Sequence, residues 1–395
     1  MAKIIIHQQK IKDSAALISL CPFAAIELVM GRLEINSGCK MCRICLKKGP
    51  AGVFELVEEE RKTVDKSAWR GIAVYADRTY GHIHPVTLEL IGKAREMAAR
   101  IGHPVYCLLI GGSGEEAVEL LHYGVDEVFR YDDPELQNFR IEPFAAVFED
   151  FIGKIKPAVM LVGGTEIGRS LAPRMAARFR TGLTADCTVL DIQPDTDLDQ
   201  IRPAFGGNIM AHIRTPRHRP QFATVRYKIF SAPERMDKIT GKINECRIAK
   251  EKLGSRIRLL ERQPKPKARG IEDAEILVVA GRGFKKQDDL RLIRELALAL
   301  NAEIAATRPL IEAGWADPRT QIGLSGRTVK PKLIVTCGVS GSVQFVAGMK
   351  NSTCIVAINQ DRHAPIMQVA HYGIIGNIYE VIPDFIEKTG KSRMD

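Results

Sequence analysis

The chain has 395 residues, 45% hydrophobic and 26% charged, enough for two or three domains that each bury a core. Its net charge of +10 is spread along the chain rather than interleaved with aromatics, which argues against a nucleic-acid partner. No apolar run reaches the roughly 18 residues of a membrane span, and residues 1–13 lack the features of a secretory signal, so a cytoplasmic protein without membrane insertion is expected.

Four of the nine cysteines (Cys21, Cys39, Cys42 and Cys45) fall within the first 45 residues, while Cys107, Cys187, Cys246, Cys337 and Cys354 stand singly. An odd count with this clustering does not suit a disulfide framework; it reads as a metal site plus buried free thiols. Cys39-Lys-Met-Cys42-Arg-Ile-Cys45 is a C-x2-C-x2-C run, and Cys21-Pro22 lies upstream of it. In two-cluster bacterial ferredoxins the fourth ligand of each cluster is a Cys-Pro from the other half of the chain. Here the triplet's own Cys-Pro place holds Gly49-Pro50. The segment therefore resembles a ferredoxin that has kept one ligand set, with Cys21, Cys39, Cys42 and Cys45 on one [4Fe-4S] cluster, and has lost the other. The competing reading is a structural zinc site, although zinc usually takes two separated C-x2-C pairs. A small ferredoxin-like α+β domain is expected over residues 1–66, ending in Glu58-Glu59-Glu60-Arg61-Lys62, which reads as a solvated linker.

From about residue 67 the pattern changes. Short β-rich apolar runs at 72–76, 105–110 and 158–162 alternate with helical spacing, in residues 86–102 and again in 169–180, where Leu171, Ala172, Met175, Ala176 and Phe179 share a face. The basic run Arg214-Thr-Pro-Arg217-His218-Arg219 reads as a solvated turn or an interface rim. A basic surface would also suit an acidic partner such as a ferredoxin. A helical segment is expected over about 234–260, closing a domain that spans 67–262. The Pro- and charge-rich stretch 263–270 is the clearest linker. Beyond it, in a domain over 263–395, strands are expected at 275–280, 333–336 and 355–358. A helix is expected over 288–302, with Leu290, Ile293, Leu296 and Leu300 on one side. Strands alternating with helices predict two doubly wound parallel sheets, an α/β fold.

Two loops follow strands of the last domain. Gly281-Arg282-Gly283 begins a dinucleotide fingerprint without completing it, and a tight turn needing positive φ accounts for it equally. Cys337-Gly338-Val339-Ser340-Gly341-Ser342-Val343-Gln344 is richer, because small residues there let backbone N–H groups approach an anion. Asn359 lies at the end of the neighbouring strand, where open α/β sheets bind ligands. No catalytic triad, paired-carboxylate motif or complete NAD fingerprint is present, so no catalytic residue is assigned.

Residues 333–361, LIVTCGVSGSVQFVAGMKNSTCIVAINQD, resemble the signature of the electron transfer flavoprotein α subunit, and the likeness continues through Ala364-Pro365-Ile366 and Tyr372-Gly373-Ile374. The middle block fits through Gly163-Gly-Thr-Glu-Ile-Gly-Arg169, Leu171-Ala-Pro-Arg174 and Thr184-Ala-Asp186-Cys187. The resemblance implies FAD held by the last domain against a β subunit. By matching position it implies contacts from Arg282, Thr307, Arg308, Gln321, Ser325, Ser340, Gln344, Asn359 and Asn377, with a guanidinium over the ring favouring anionic reduced flavin. Phe345 stands where many members have His, and Asn377 where many have Asp. The added cluster resembles electron-bifurcating complexes, in which a β-subunit flavin is reduced by NADH. The partner there is an acyl-CoA dehydrogenase relative or a lactate dehydrogenase, with ferredoxin as a further partner. A nucleotide-binding regulatory protein with a redox-sensing cluster and no flavin is the alternative.

Overall fold

The computed structural model describes residues 2–36, 38–58, 64–79, 81–204, 209–263 and 270–391. The chain divides into two compact units, Met1–Val64 and Asp65–Asp395.

The first unit runs strand Ala2–Ile6, helix Ser14–Ser19, strands Ile26–Val29 and Arg32–Ile35, helix Ile44–Lys48 and strand Phe54–Glu58. Its outer strands pair antiparallel, Ile4 opposite Leu56, and its inner strands form a hairpin turning at Met30-Gly31. Asp13 caps the first helix by accepting from the Ala16 N–H. Ile4, Leu17, Ile26, Leu33, Val53 and Phe54 make up a small core.

The second unit is built on two parallel sheets. The larger has seven strands, in the spatial order Leu183–Thr184, Gln221–Val225, Val159–Gly163, Ile72–Ala76, Val105–Ile110, Glu127–Tyr131, Lys242–Cys246, every neighbouring pair parallel. The chain enters at the middle and winds outward both ways, which makes the sheet doubly wound. Side chains alternate across it. Ile72, Val74 and Ala76 pack with Val86, Leu90 and Met97 of helix Pro85–Ile101, while Ala73 and Tyr75 face Phe148, Phe151 and Met175. Helix Glu166–Arg178 buries Leu171, Ala172, Met175 and Ala176, the face read from the sequence.

The smaller sheet has five strands, in the order Glu303–Ala306, Ile276–Ala280, Leu333–Cys337, Cys354–Asn359, Tyr372–Ile375, all parallel. A 3-10 turn at Gln287–Leu290 leads into helix Arg291–Leu300, which buries Leu290, Ile293 and Leu296. The α/β class with two doubly wound sheets is therefore as expected. Among the described residues, no helix is long and apolar enough to cross a membrane.

Three expectations need correction. Residues 234–260 form no α-helix: they hold strand Lys242–Cys246, which pairs with Glu127–Tyr131 as the sheet's edge, and a 3-10 turn at Lys250–Leu253. Gly241 marks the break, since a Cβ there would come within 2.8 Å of the Asp126 carbonyl oxygen. The basic run is not simply a solvated turn, because Arg219 is buried against Asp197 at 2.8 Å and Arg214 pairs with Asp199. Third, of the five isolated cysteines only Cys107, Cys187 and Cys337 are buried. An antiparallel sheet of Val189–Ile192, Leu198–Ala204 and Ile209–Ile213 had no clear sequence signal. Residues 59–62 and 264–269 of the two expected linkers lie outside the described residues.

Candidate flavin and cysteine sites

All five strands of the smaller sheet present their carboxyl ends along one edge, and nearly every loop singled out from sequence lies there. After Ile276–Ala280 comes Gly281-Arg282-Gly283; after Leu333–Cys337 comes the loop 338–342, which leads into the short helix Val343–Ala347 that carries Gln344. The two loops lie back to back. The Gly283 N–H donates to the Gly338 carbonyl at 2.9 Å, and a Cβ on Gly281 would sit 2.6 Å from the Gly338 carbonyl carbon. Backbone-to-backbone packing, not positive φ, is thus why Gly281 and Gly283 are glycine. Gly338 and Gly341 do take the left-handed region, at φ 64° and 82°.

The remaining residues tie into this edge through hydrogen bonds. The Thr307 N–H donates to the Ala280 carbonyl at 3.0 Å, and the Asn359 amide donates to the Val339 carbonyl at 2.8 Å. Gln321 bridges to Ala306 and donates to the Ser325 hydroxyl at 2.8 Å, while the Leu324 N–H reaches the Gln344 carbonyl at 3.0 Å. Of the nine residues named from sequence, Thr307, Gln321, Ser325, Gln344 and Asn359 are joined by these bonds to the strand ends and their loops. Arg282, Arg308, Ser325, Ser340, Gln344 and Asn377 are exposed, Asn359 is half-buried, and Thr307 and Gln321 are buried.

Arg308 and Asn377 have structural partners as well. Arg308 pairs with Glu312 one turn on, and Asn377 caps the last helix, Ile378–Lys391, accepting from the Tyr379 N–H at 3.2 Å. Phe345 is buried in the apolar core with Val339, Ile322 and Met349, so its ring serves packing. The Thr307 hydroxyl oxygen is buried without a partner among the described residues. An orphaned donor beside a glycine cradle at a sheet's carboxyl edge fits a bound dinucleotide.

One residue was missed. Arg226 directly follows strand Gln221–Val225 of the larger sheet, pairs with Asp186 at 2.7 Å, and donates to the Gly326 carbonyl at 3.3 Å, next to Ser325. Its position at a parallel strand's carboxyl end was the available signal. Asp186 also receives Arg169, and these cations hold its carboxyl below the usual range despite burial.

In the first unit, Cys21, Cys39, Cys42 and Cys45 line one pocket with Ile4, Pro22, Phe23, Ala25, Ile26 and Ile35. The Ala25 N–H donates to the Cys21 sulfur at 3.3 Å. Met41 and Arg43 take left-handed backbone between the cysteines of the triplet, at φ 52° and 63°. Burial raises the Cys45 pKa, helped by Cys39 and Cys42 nearby. Among the described residues, no three His, Cys, Asp or Glu side chains are grouped so as to hold a metal ion.

A doubly wound α/β unit with a glycine cradle and a polar rim at its carboxyl edge belongs to the dinucleotide-binding class. Residues 72–251 match the family described as the electron transfer flavoprotein domain, and residues 270–350 match the electron transfer flavoprotein FAD-binding domain. The chain is 57% identical over 385 residues to the lactate dehydrogenase (NAD(+),ferredoxin) subunit LctC of Acetobacterium woodii, covering 97% of this chain and 92% of that one. It is 40% identical over 320 residues to protein FixB of Clostridium saccharobutylicum (80% of this chain, 96% of that one). It is also 40% identical over 326 residues to the electron transfer flavoprotein subunit alpha of Thermoanaerobacterium thermosaccharolyticum (82% and 98%). The chain belongs to the electron transfer flavoprotein α-subunit family.

Proposed function

We propose that this chain is the FAD- and [4Fe-4S]-carrying α subunit of a flavin-based electron-bifurcating complex, located in the cytoplasm. It relays electrons between a β-subunit flavin reduced by NADH, a partner dehydrogenase and ferredoxin. The observation that carries this reading is four cysteines on one pocket in a chain whose other unit bears an FAD-binding domain. The printed name of the Acetobacterium woodii relative joins lactate dehydrogenase, NAD(+) and ferredoxin, which favours a lactate dehydrogenase over an acyl-CoA dehydrogenase relative as the partner.

Cys21, Cys39, Cys42 and Cys45 would hold the cluster. Zinc usually takes cysteines in two separated C-x2-C pairs, whereas Cys39, Cys42 and Cys45 fall within seven residues and share one pocket with Cys21, a spacing that suits a cubane better. At the other site, backbone N–H groups of the glycine-rich loops would receive the pyrophosphate and Thr307 would offer its unpartnered hydroxyl. Gln321 orients Ser325 at the flavin edge, and Arg282 and Arg308 add fixed positive charge. When bound, FAD supplies two-electron and one-electron redox chemistry and the cluster supplies one-electron chemistry.

The test is stepwise reduction of the complex co-produced with its β subunit, followed by optical and EPR spectroscopy. Flavin bands, a reduced cubane signal and about four irons per chain are expected. Cys21→Ser should remove or degrade the cluster and leave the flavin bands. A preparation with iron but no flavin, or a cluster indifferent to Cys21→Ser, would overturn the reading.

A further inference from the structure

Strand Gln221–Val225 of the larger sheet runs at its carboxyl end into a segment, residues 226–231, that is held from two sides. On one side it is clamped to helix Pro85–Ile101. The buried Glu89 carboxylate accepts the Lys228 N–H with both oxygens, at 3.1 and 3.0 Å, and Lys228 takes left-handed backbone there, at φ 69°. One turn along the same helix face, a Cβ on Gly92 would lie 2.7 Å from the Ser231 carbonyl oxygen, so the missing side chain lets the segment lie against the helix. Tyr227, Ile229 and Phe230 pack on the core of the larger sheet.

On its other side the segment meets residues that belong with the smaller sheet. The Arg226 guanidinium donates to the Gly326 carbonyl at 3.3 Å, the Lys330 ammonium to the Ser231 hydroxyl at 3.0 Å, and the Tyr227 hydroxyl to the Asp273 carboxylate at 3.4 Å. Gly326 lies in the turn that presents Ser325. That turn is closed by the Gly323 N–H, which donates to the Arg327 carbonyl at 3.1 Å, and by the Arg327 N–H, which donates to the Gln321 carbonyl at 2.7 Å. Ser325 is thus held from within by the Gln321 amide and from outside through its neighbour Gly326. A forked guanidinium can bond Asp186, at 2.7 Å, and the Gly326 carbonyl at once, whereas a lysine ammonium is a single point of charge.

We propose that residues 226–231 form a strap that positions the Ser325 turn, with Glu89 and Arg226 as positioning residues: Glu89 holds the strap on its helix, and Arg226 carries that placement across to Gly326. The inference rests on the proposed placement of Ser325 at the flavin edge. A group that must meet a cofactor in one geometry needs supporting residues that lock it, and the strap supplies them from the neighbouring sheet. Arg226 acting as a bare positive charge is disfavoured, because Asp186 pairs with it directly.

The test follows amide hydrogen exchange over residues 321–330 of the full chain co-produced with its β subunit, together with the flavin absorption spectrum and the FAD dissociation constant. Arg226→Lys keeps the charge and loses the fork, and Glu89→Leu keeps the bulk and loses both acceptors. Each should speed exchange in the turn about 10-fold while strand Leu333–Cys337 exchanges as in the wild type. Each should also shift the flavin band and raise the FAD dissociation constant about 3-fold. The double variant should match the worse single one, since both residues act through one strap. Should Glu89→Leu fail to fold, Lys330→Met takes its place in the same comparison. Wild-type exchange in Arg226→Lys, or effects that add in the double variant, would overturn the strap. Faster exchange with an unchanged flavin band and affinity would support the strap and overturn the placement of Ser325 at the flavin edge.

Discussion

A Cβ built on Gly49 would lie 2.7 Å from Cδ2 of Phe54, inside the contact distance of any real side chain. The position where a two-cluster ferredoxin would carry a further cysteine is taken up by core packing. Gly49→Cys should destabilise the first unit by about 1–3 kcal/mol without adding iron, checked by thermal melting and metal analysis. Normal stability together with extra iron would show that the second site persists. The Gly49-Pro50 pair was legible in the sequence but the ring packed against it was not, because Phe54 reads only as a strand residue. Glu89 was equally silent. It lies buried on helix Pro85–Ile101 and accepts from the Lys228 N–H at 3.0 Å; burial pushes its pKa from 4.5 up to about 7. The folded state therefore keeps a proton that the unfolded chain releases, so stability falls as pH rises from about 4.5 through about 7, by on the order of 3 kcal/mol. Glu89→Gln removes that loss, and its melting temperature should gain on the wild type between pH 5 and 8. A constant difference across that range would mean that Glu89 does not titrate there.

At the scale of elements, the back-to-back packing of the Gly281 and Gly338 loops sets the shape of the rim. Gly281→Ala should push the loops apart and raise the FAD dissociation constant about 10-fold or more, some 1.4 kcal/mol, while far-UV circular dichroism stays unchanged. Flavin retained through gel filtration as in the wild type would refute this. That these loops stand at the sheet's carboxyl edge was legible in the sequence, since each follows an apolar run of strand length. Why they need glycine was not legible, because the contact joins residues more than fifty positions apart. The same limit explains the misread segment 234–260. Lys242–Cys246 is too short and polar to declare itself a strand, and its conformation comes from pairing with Glu127–Tyr131.

For the whole molecule, the division after Val64 separates two sources of stability. The second unit buries both faces of two parallel sheets, whereas the first relies on a core cluster of six residues. So small a core supplies few kcal/mol, and units of that size usually need a metal or disulfide staple. Two relatives with 40% identity match over 320 and 326 residues, 96% and 98% of their own length but only 80% and 82% of this chain. Relatives of roughly the second unit's size therefore occur within this family. A chain starting at Asp65, co-produced with its β subunit, should fold, keep its FAD and contain no iron. Its flavin content per chain and melting temperature should match those of the full-length complex within a few degrees. In the intact chain, iron chelation should melt the first unit while the flavin bands persist, since cluster binding and folding are coupled where the core is marginal. Loss of FAD on truncation would show that the two units depend on one another, and that the cysteine module is part of the flavin protein's stability.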